Sequence, residues 1–279
     1  MHPASWLGDT VASWRKCGII ADMNRWIAIC LATIACAGCF DNKGKPEDVP
    51  TVIGLRPLAE TNRAGIVRVI LRGDRGELSA SHLTGLDSIK MIDLSERGTK
   101  EVPAAAFGLK GLKEFYFCRN GMERIPDFSC WADTLDYLNL DDNAITEIPA
   151  GISSLTRLKW LRLNGNRIKA VPRELSALKD LRRIYLCRNA LTAVPEVVKE
   201  WPMIEDISLD GNPISEVPEW LVSLPRLRGV SLCGTRISRL PSDLSGWKRL
   251  DFLALSSCPV SREEMQRVRK ALPDVAIVF

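Results

Sequence analysis

The stretch Leu155-Thr156-Arg157-Leu158-Lys159-Trp160-Leu161-Arg162-Leu163-Asn164-Gly165-Asn166-Arg167-Ile168-Lys169-Ala170-Val171-Pro172 decides how the rest of the chain is read. Leu161 and Leu163 are two apart, the spacing of residues on one face of a strand. An asparagine follows three residues after Leu163, and a proline nine after it. The arrangement recurs in both directions with an unbroken period of 23 residues, at Leu71, Leu94, Phe117, Leu140, Leu163, Leu186, Leu209, Leu232 and Leu255. Two positions earlier stand Val69, Ile92, Phe115, Leu138, Leu161, Ile184, Ile207, Val230 and Leu253. Five positions earlier stand Ile66, Ile89, Leu112, Leu135, Leu158, Leu181, Ile204, Leu227 and Leu250. Every residue in these three columns is apolar in a chain that is 46% apolar, a coincidence on the order of one in a billion.

Asn120, Asn143, Asn166, Asn189 and Asn212 form a further column, and Pro103, Pro126, Pro149, Pro172, Pro195, Pro218 and Pro241 another. On these columns the chain resembles the leucine-rich-repeat family, with its pattern LxxLxxLxLxxNxLxxLP, over residues 63 to 260. The resemblance implies an α/β solenoid, a horseshoe of about nine repeats with a parallel β-sheet on its concave face and capped ends. No single repeat can bury its own apolar face, so stacking creates the core. The asparagines are expected to satisfy backbone groups where each strand turns away. That ladder is expected to fail at Asp74 and Arg97 and again at Thr235 and Cys258, since terminal repeats of such arrays are atypical.

Residues 51–260 are read as the solenoid with its N-terminal cap, and 261–279 as the C-terminal cap. In the latter, Ser261 is the N-cap of a closing helix to Ala271, Glu264 occupies the third position of a capping box, and Val275 to Phe279 supply a last strand. Residues 1–39 are read as a signal segment with Met23 as its natural start: Arg25 precedes the apolar run Trp26 to Ala35, which is too short to cross a bilayer. Its end, Ala37-Gly38-Cys39, resembles the bacterial lipobox, which implies lipidation of Cys39. The position three before it is Cys36 rather than an aliphatic residue, and Cys36 is the alternative acceptor. Residues 40–50 read as a flexible polar tether.

Function is expected at the outward positions minus three, minus one and plus one of each strand, where side chains are not needed by the core. All three tyrosines of the chain fall there, with Trp160 between them. Aromatics and arginines carry most interface energy, so Tyr116, Tyr137, Trp160, Arg162, Arg183 and Tyr185 form the expected partner-binding centre. Alanine at Tyr137 and Trp160 is then expected to weaken binding with little effect on stability. The acidic group Asp141, Asp142, Glu205, Asp206 and Asp210 lies alongside, suited to pairing with those arginines or with a basic partner rather than to holding a metal. Cys118, Cys187 and Cys233 share one column, but at about 4.8 Å per strand they are too far apart to bridge and are expected as thiols.

The composition offers little chemistry. There are 38 basic and 34 acidic residues, giving a formal charge of +4 and no nucleic-acid footprint. The two histidines, His2 and His82, cannot assemble a histidine metal site or triad, and no phosphate-binding glycine loop is present. No catalytic residue, metal or cofactor is therefore expected. The resulting expectation is a monomeric, non-enzymatic lipoprotein of the cell envelope, anchored to the membrane through its N-terminal lipid and binding a protein or peptide. The alternative is an effector or adaptor docking onto a regulatory protein in a cytoplasm, which the thiols favour.

Overall fold

The structure, a computed structural model, describes residues 49–279. The signal segment 1–39 with Cys39, and residues 40–48 of the tether, lie outside the described residues. Eleven parallel strands form one open sheet in strict chain order. Nine belong to the repeats: β2 (Arg68–Ile70), β3 (Met91–Asp93), β4 (Glu114–Tyr116), β5 (Tyr137–Asn139), β6 (Trp160–Arg162), β7 (Arg183–Tyr185), β8 (Asp206–Ser208), β9 (Gly229–Ser231) and β10 (Phe252–Ala254). Each residue pairs with the one 23 further on, for example Trp160 with Arg183 and Arg162 with Tyr185. The remaining two are caps. At the N-terminal edge, β1 (Thr51–Ile53) extends the sheet and leads into α1 (Leu55–Glu60). Pro50 already belongs to this folded body, since its carbonyl accepts the amides of Val67 and Arg68.

The chain returns from each of the strands β2 to β9 through a single short helical turn. Most are 3-10 helices, such as Ala150–Ser154 and Arg173–Ala177; α2 (Ala80–Leu83) and α3 (Glu219–Val222) are one-turn α-helices. The proline column explains where five of them begin. Pro103, Pro149, Pro172, Pro195 and Pro218 stand at the N-cap, where the missing N–H is not needed and the fixed φ sets the entry. All three apolar columns face one continuous core between strands and turns. Trp131, Trp201 and Trp247 plug its helical side, their indole N–H groups donating to the carbonyls of Leu109, Leu175 and Leu221.

The asparagine ladder is built as expected. Asn166 donates to the carbonyls of Leu140, one repeat back, and Leu163 in its own repeat, while its Oδ1 accepts the Ile145 amide at 3.1 Å. Asn189 and Asn212 repeat the pattern on Ile168 and Leu191. At its two ends the ladder loses its asparagines as expected and is continued only in part: Thr235 bonds the Leu232 carbonyl of its own repeat, while other donors make the longer contact at Arg97 and Cys258. The Arg97 guanidinium reaches the carbonyl of Leu71, and the Cys258 thiol that of Leu232 at 3.0 Å. Both span the 26-residue separation that Asn166 spans to Leu140. Asp74 acts differently, its carboxylate accepting the amides of Leu55 and Gly76. Those bonds hold it below the usual carboxylate range and fasten α1 to the first repeat.

One column carries no mark in the sequence. The residue two after each reference position has a left-handed backbone in all nine repeats, at Gly73, Glu96, Arg119, Asp142, Gly165, Arg188, Gly211, Gly234 and Ser257. The turn needs this conformation to aim the next residue into the ladder. Five non-glycine residues accept it, at about 1–2 kcal/mol each. Gly165 has a second reason to be glycine, since a Cβ there would collide with Asp142 Oδ1, which reaches across the gap to Arg188.

At the C-terminus α4 (Arg262–Ala271) has Ser261 as its N-cap, accepting the Glu264 amide, and β11 (Ala276–Val278) pairs with β10, both as expected. The Glu264 carboxylate differs. It accepts the Leu240 amide at 2.8 Å and pairs with Arg267, which itself donates to the carbonyls of Leu240, Pro241 and Ser242. The cap is pinned to the last repeats by this pair. Asn166→Ala, which removes one acceptor and two donors from a buried ladder, is expected to cost about 3 kcal/mol in chemical denaturation. A loss below about 1 kcal/mol would show that water replaces the ladder.

Candidate functional site

The face of the sheet away from the core carries the minus-three and minus-one columns. The structure brings the six expected residues together on β4 to β7, though not all in the same state. Tyr116 and Tyr137 are buried and Trp160, Arg162, Arg183 and Tyr185 half-buried. The tyrosines pack ring on ring with centroids 4.9 Å apart, and Trp160 meets Tyr137 edge-on at 5.5 Å. With Met91, and with Ile70 and Trp160 against them, they form a second apolar cluster on the outer side of the sheet. Tyr116 donates its hydroxyl to Glu114 at 2.9 Å, and burial pushes its phenol far above the ordinary value. The assumption that outward side chains do no structural work is thus corrected for these two, because neighbouring long side chains cover them.

On β6 and β7 four residues interlock. Arg183 lies over the Trp160 ring and Arg162 over the Tyr185 ring, each guanidinium 5.1 Å from the centroid. Asp141 holds Arg162 at 2.8 Å, and Asp206 holds Arg183 at 2.8 Å. Burial opposes the Arg162 charge, but the adjacent Asp141 carboxylate outweighs it and holds the guanidinium well above its ordinary value. Asp141, accepting also from Asn164, is pushed up by burial and drawn back by Arg162. The outcome is two fixed, stacked cations at opposite corners of a square, with the two rings at the other corners.

The plus-one column, expected to be available to a partner, is largely absorbed by the backbone. Each repeat strand is followed by an amide at this position, and at six of the nine positions a neighbouring side chain accepts it. Ser95 Oγ accepts from Cys118, Asp141 Oδ1 from Asn164, Asn164 Oδ1 from Cys187 and Asp210 Oδ1 from Cys233, at 2.7 to 3.0 Å. Asp93 and Asn139 serve the amides of Ser95 and Asp141 within their own repeats. The column is a second polar ladder beside the asparagines. Cys187, a thiol like the other four described cysteines, is buried against Ser208, and that burial pushes its pKa far up, away from nucleophilic chemistry.

The acidic group pairs with the arginines: Asp142 with Arg119 and Arg188, Glu205 with Arg182, besides the pairs above. Asp210 is the exception, bound to the Ser231 hydroxyl at 2.6 Å and raised by burial. His82 is used locally, its Nδ1 bonded with Ser79 in the capping of α2. The residues missed from the sequence are Met91 and Ile70, which extend the aromatic cluster. Their place in the outward columns was the available signal.

Because Tyr137 lies inside the outer cluster, Tyr137→Ala is now expected to lower the unfolding free energy by about 3 kcal/mol. Trp160→Ala, at the cluster's exposed end, is expected to cost about 1 kcal/mol. Equal losses in chemical denaturation would contradict the different burial of the two rings.

Residues 156–214 match the family model described as leucine rich repeat. A search of curated proteins returns no match. Among solved structures, an internalin from Listeria monocytogenes superposes with a TM-score of 0.64 at 21% identity, covering 81% of this chain and 63% of its own. A leucine-rich-repeat protein of Leptospira interrogans gives 0.54 at 20%, covering 77% and 72%. The ectodomain of the Arabidopsis thaliana receptor kinase GASSHO1/SCHENGEN3, in complex with Casparian strip integrity factor 2, gives 0.56 at 23%, covering 70% and 24%. This chain thus spans a quarter of that ectodomain and under two thirds of the internalin, and the likeness is one of fold. The matched repeat, carried in register along the sheet, gives the described residues the fold of a leucine-rich-repeat solenoid.

Proposed function

We propose that the protein is a non-enzymatic binding module that takes a protein or peptide partner on the outer face of its sheet. The centre is Trp160, Arg162, Arg183 and Tyr185, with Tyr116 and Tyr137 as the packed support beneath and beside them. The observation that carries this reading is the interlocked square on β6 and β7, where ring stacking and buried carboxylates fix four half-buried side chains of the types that dominate binding interfaces. Side chains already ordered lose little entropy on association. The fold supports the same role, since the similar receptor-kinase ectodomain is described in complex with a partner.

We further propose a lipid tether at Cys39 that holds the module in the cell envelope, on the strength of the run Trp26 to Ala35 and the Ala37-Gly38-Cys39 ending. Among the described residues no helix is long and apolar enough to cross a membrane. With a partner obtained by affinity capture from the native host, the double variant Trp160→Ala/Tyr185→Ala is expected to weaken binding by more than about 2 kcal/mol. Unchanged affinity would remove the face from consideration. Palmitate labelling of wild type and Cys39→Ser tests the tether: label in the first and not the second is expected, and an unlabelled wild type would refute it.

A further inference from the structure

The charged pairs whose members both lie in the minus-three, minus-one and plus-one columns are oriented alike. Arg162 keeps 18% of its side chain exposed and Asp141 beneath it 5%; Arg183 keeps 19% and Asp206 9%. Arg72 stands over Asp93 in the same way on β2 and β3. In each case the carboxylate lies against the sheet and the guanidinium is the solvent-side member. The order continues at the strand entrances, where Lys159 is more exposed than Asp136 and Arg228 more than Asp251.

A pair built this way is neutral in sum but is a dipole whose positive end points at whatever approaches. The buried carboxylate also fixes the plane of the guanidinium, so its outer edge is presented as a set fork, which suits bidentate capture of a second carboxylate. Between the two forks of β6 and β7 lie the Trp160 and Tyr185 rings.

We infer that the partner is an extended acidic peptide segment, with Asp or Glu side chains meeting Arg162 and Arg183 and an aliphatic or aromatic residue between them on Trp160 and Tyr185. This rests on the binding reading above and names the chemistry of its ligand. A basic segment would bring its cations against the outward guanidiniums and reach Asp141 and Asp206 only by displacing them.

The test is selection from a random peptide library displayed on phage, with the full chain immobilised, followed by affinity measurement of one enriched synthetic peptide. Arg162→Gln alone strands the buried Asp141, so the informative variant is Asp141→Asn/Arg162→Gln, which leaves a neutral, hydrogen-bonded pair. Expected are sequences with acidic residues flanking an apolar one, and a loss of about tenfold or more in affinity for the double variant. If the enriched sequences lack acidic residues, or the double variant binds as wild type while Trp160→Ala does not, the acidic ligand is refuted and the binding face stands. Absence of enrichment, or enrichment indifferent to Trp160→Ala, would overturn the face itself and the ligand with it.

Discussion

Everything in the described structure depends on satisfying the backbone at the point where each strand stops. A three-residue strand leaves amides and carbonyls at its end buried between neighbouring repeats, and buried unpaired groups cost more than a short strand can recover. The asparagine column answers this by reaching backward to carbonyls while accepting from the repeat before. Arg97 and Cys258 show that the geometry, not the amide, is what must be preserved. The left-handed residue that precedes each of these side chains is part of the same requirement, which is why glutamate, arginine, aspartate and serine are tolerated there despite their strain.

That demand also shapes the outer face. Because plus-one side chains serve as acceptors for the next strand's amide, the surface left for the proposed partner is narrower than three columns. What remains is an apolar cluster on the early strands passing into a stacked arginine and aromatic square on β6 and β7, fixed from beneath by carboxylates. The same aspartate can work for both: Asp141 accepts the Asn164 amide and holds Arg162. Backbone satisfaction and the ordering of the proposed binding surface are thus carried by shared side chains.

The columns of leucine, asparagine and proline were legible because each position accepts only a narrow range of chemistry, and a fixed period multiplies the signal. Cap helix and final strand were legible from Ser261 and the apolar end. Other features were not. The left-handed column mixes glycine with charged residues, so no residue type marks it. Alternation tells which side of the sheet Tyr137 takes, but not that Met91, Tyr116 and Trp160 cover it. The role of Glu264 depends on Leu240, 24 residues earlier, and only the folded cap brings the two together.

The ion pairs along the strand entrances run from one repeat to the next: Lys113 and Lys159 share Asp136, Arg182 meets Glu205, and Arg228 meets Asp251. The apolar core repeats with every 23 residues, whereas these signs do not. Excising one repeat by recombination would leave the core in register, but the charges brought together would depend on which repeat went: loss of the Glu205 repeat would set Arg182 against Arg228, whereas loss of the Lys159 repeat would set Asp136 against Arg182. Lateral charge thus distinguishes repeats that the hydrophobic interior treats alike, and the members of the array are not interchangeable.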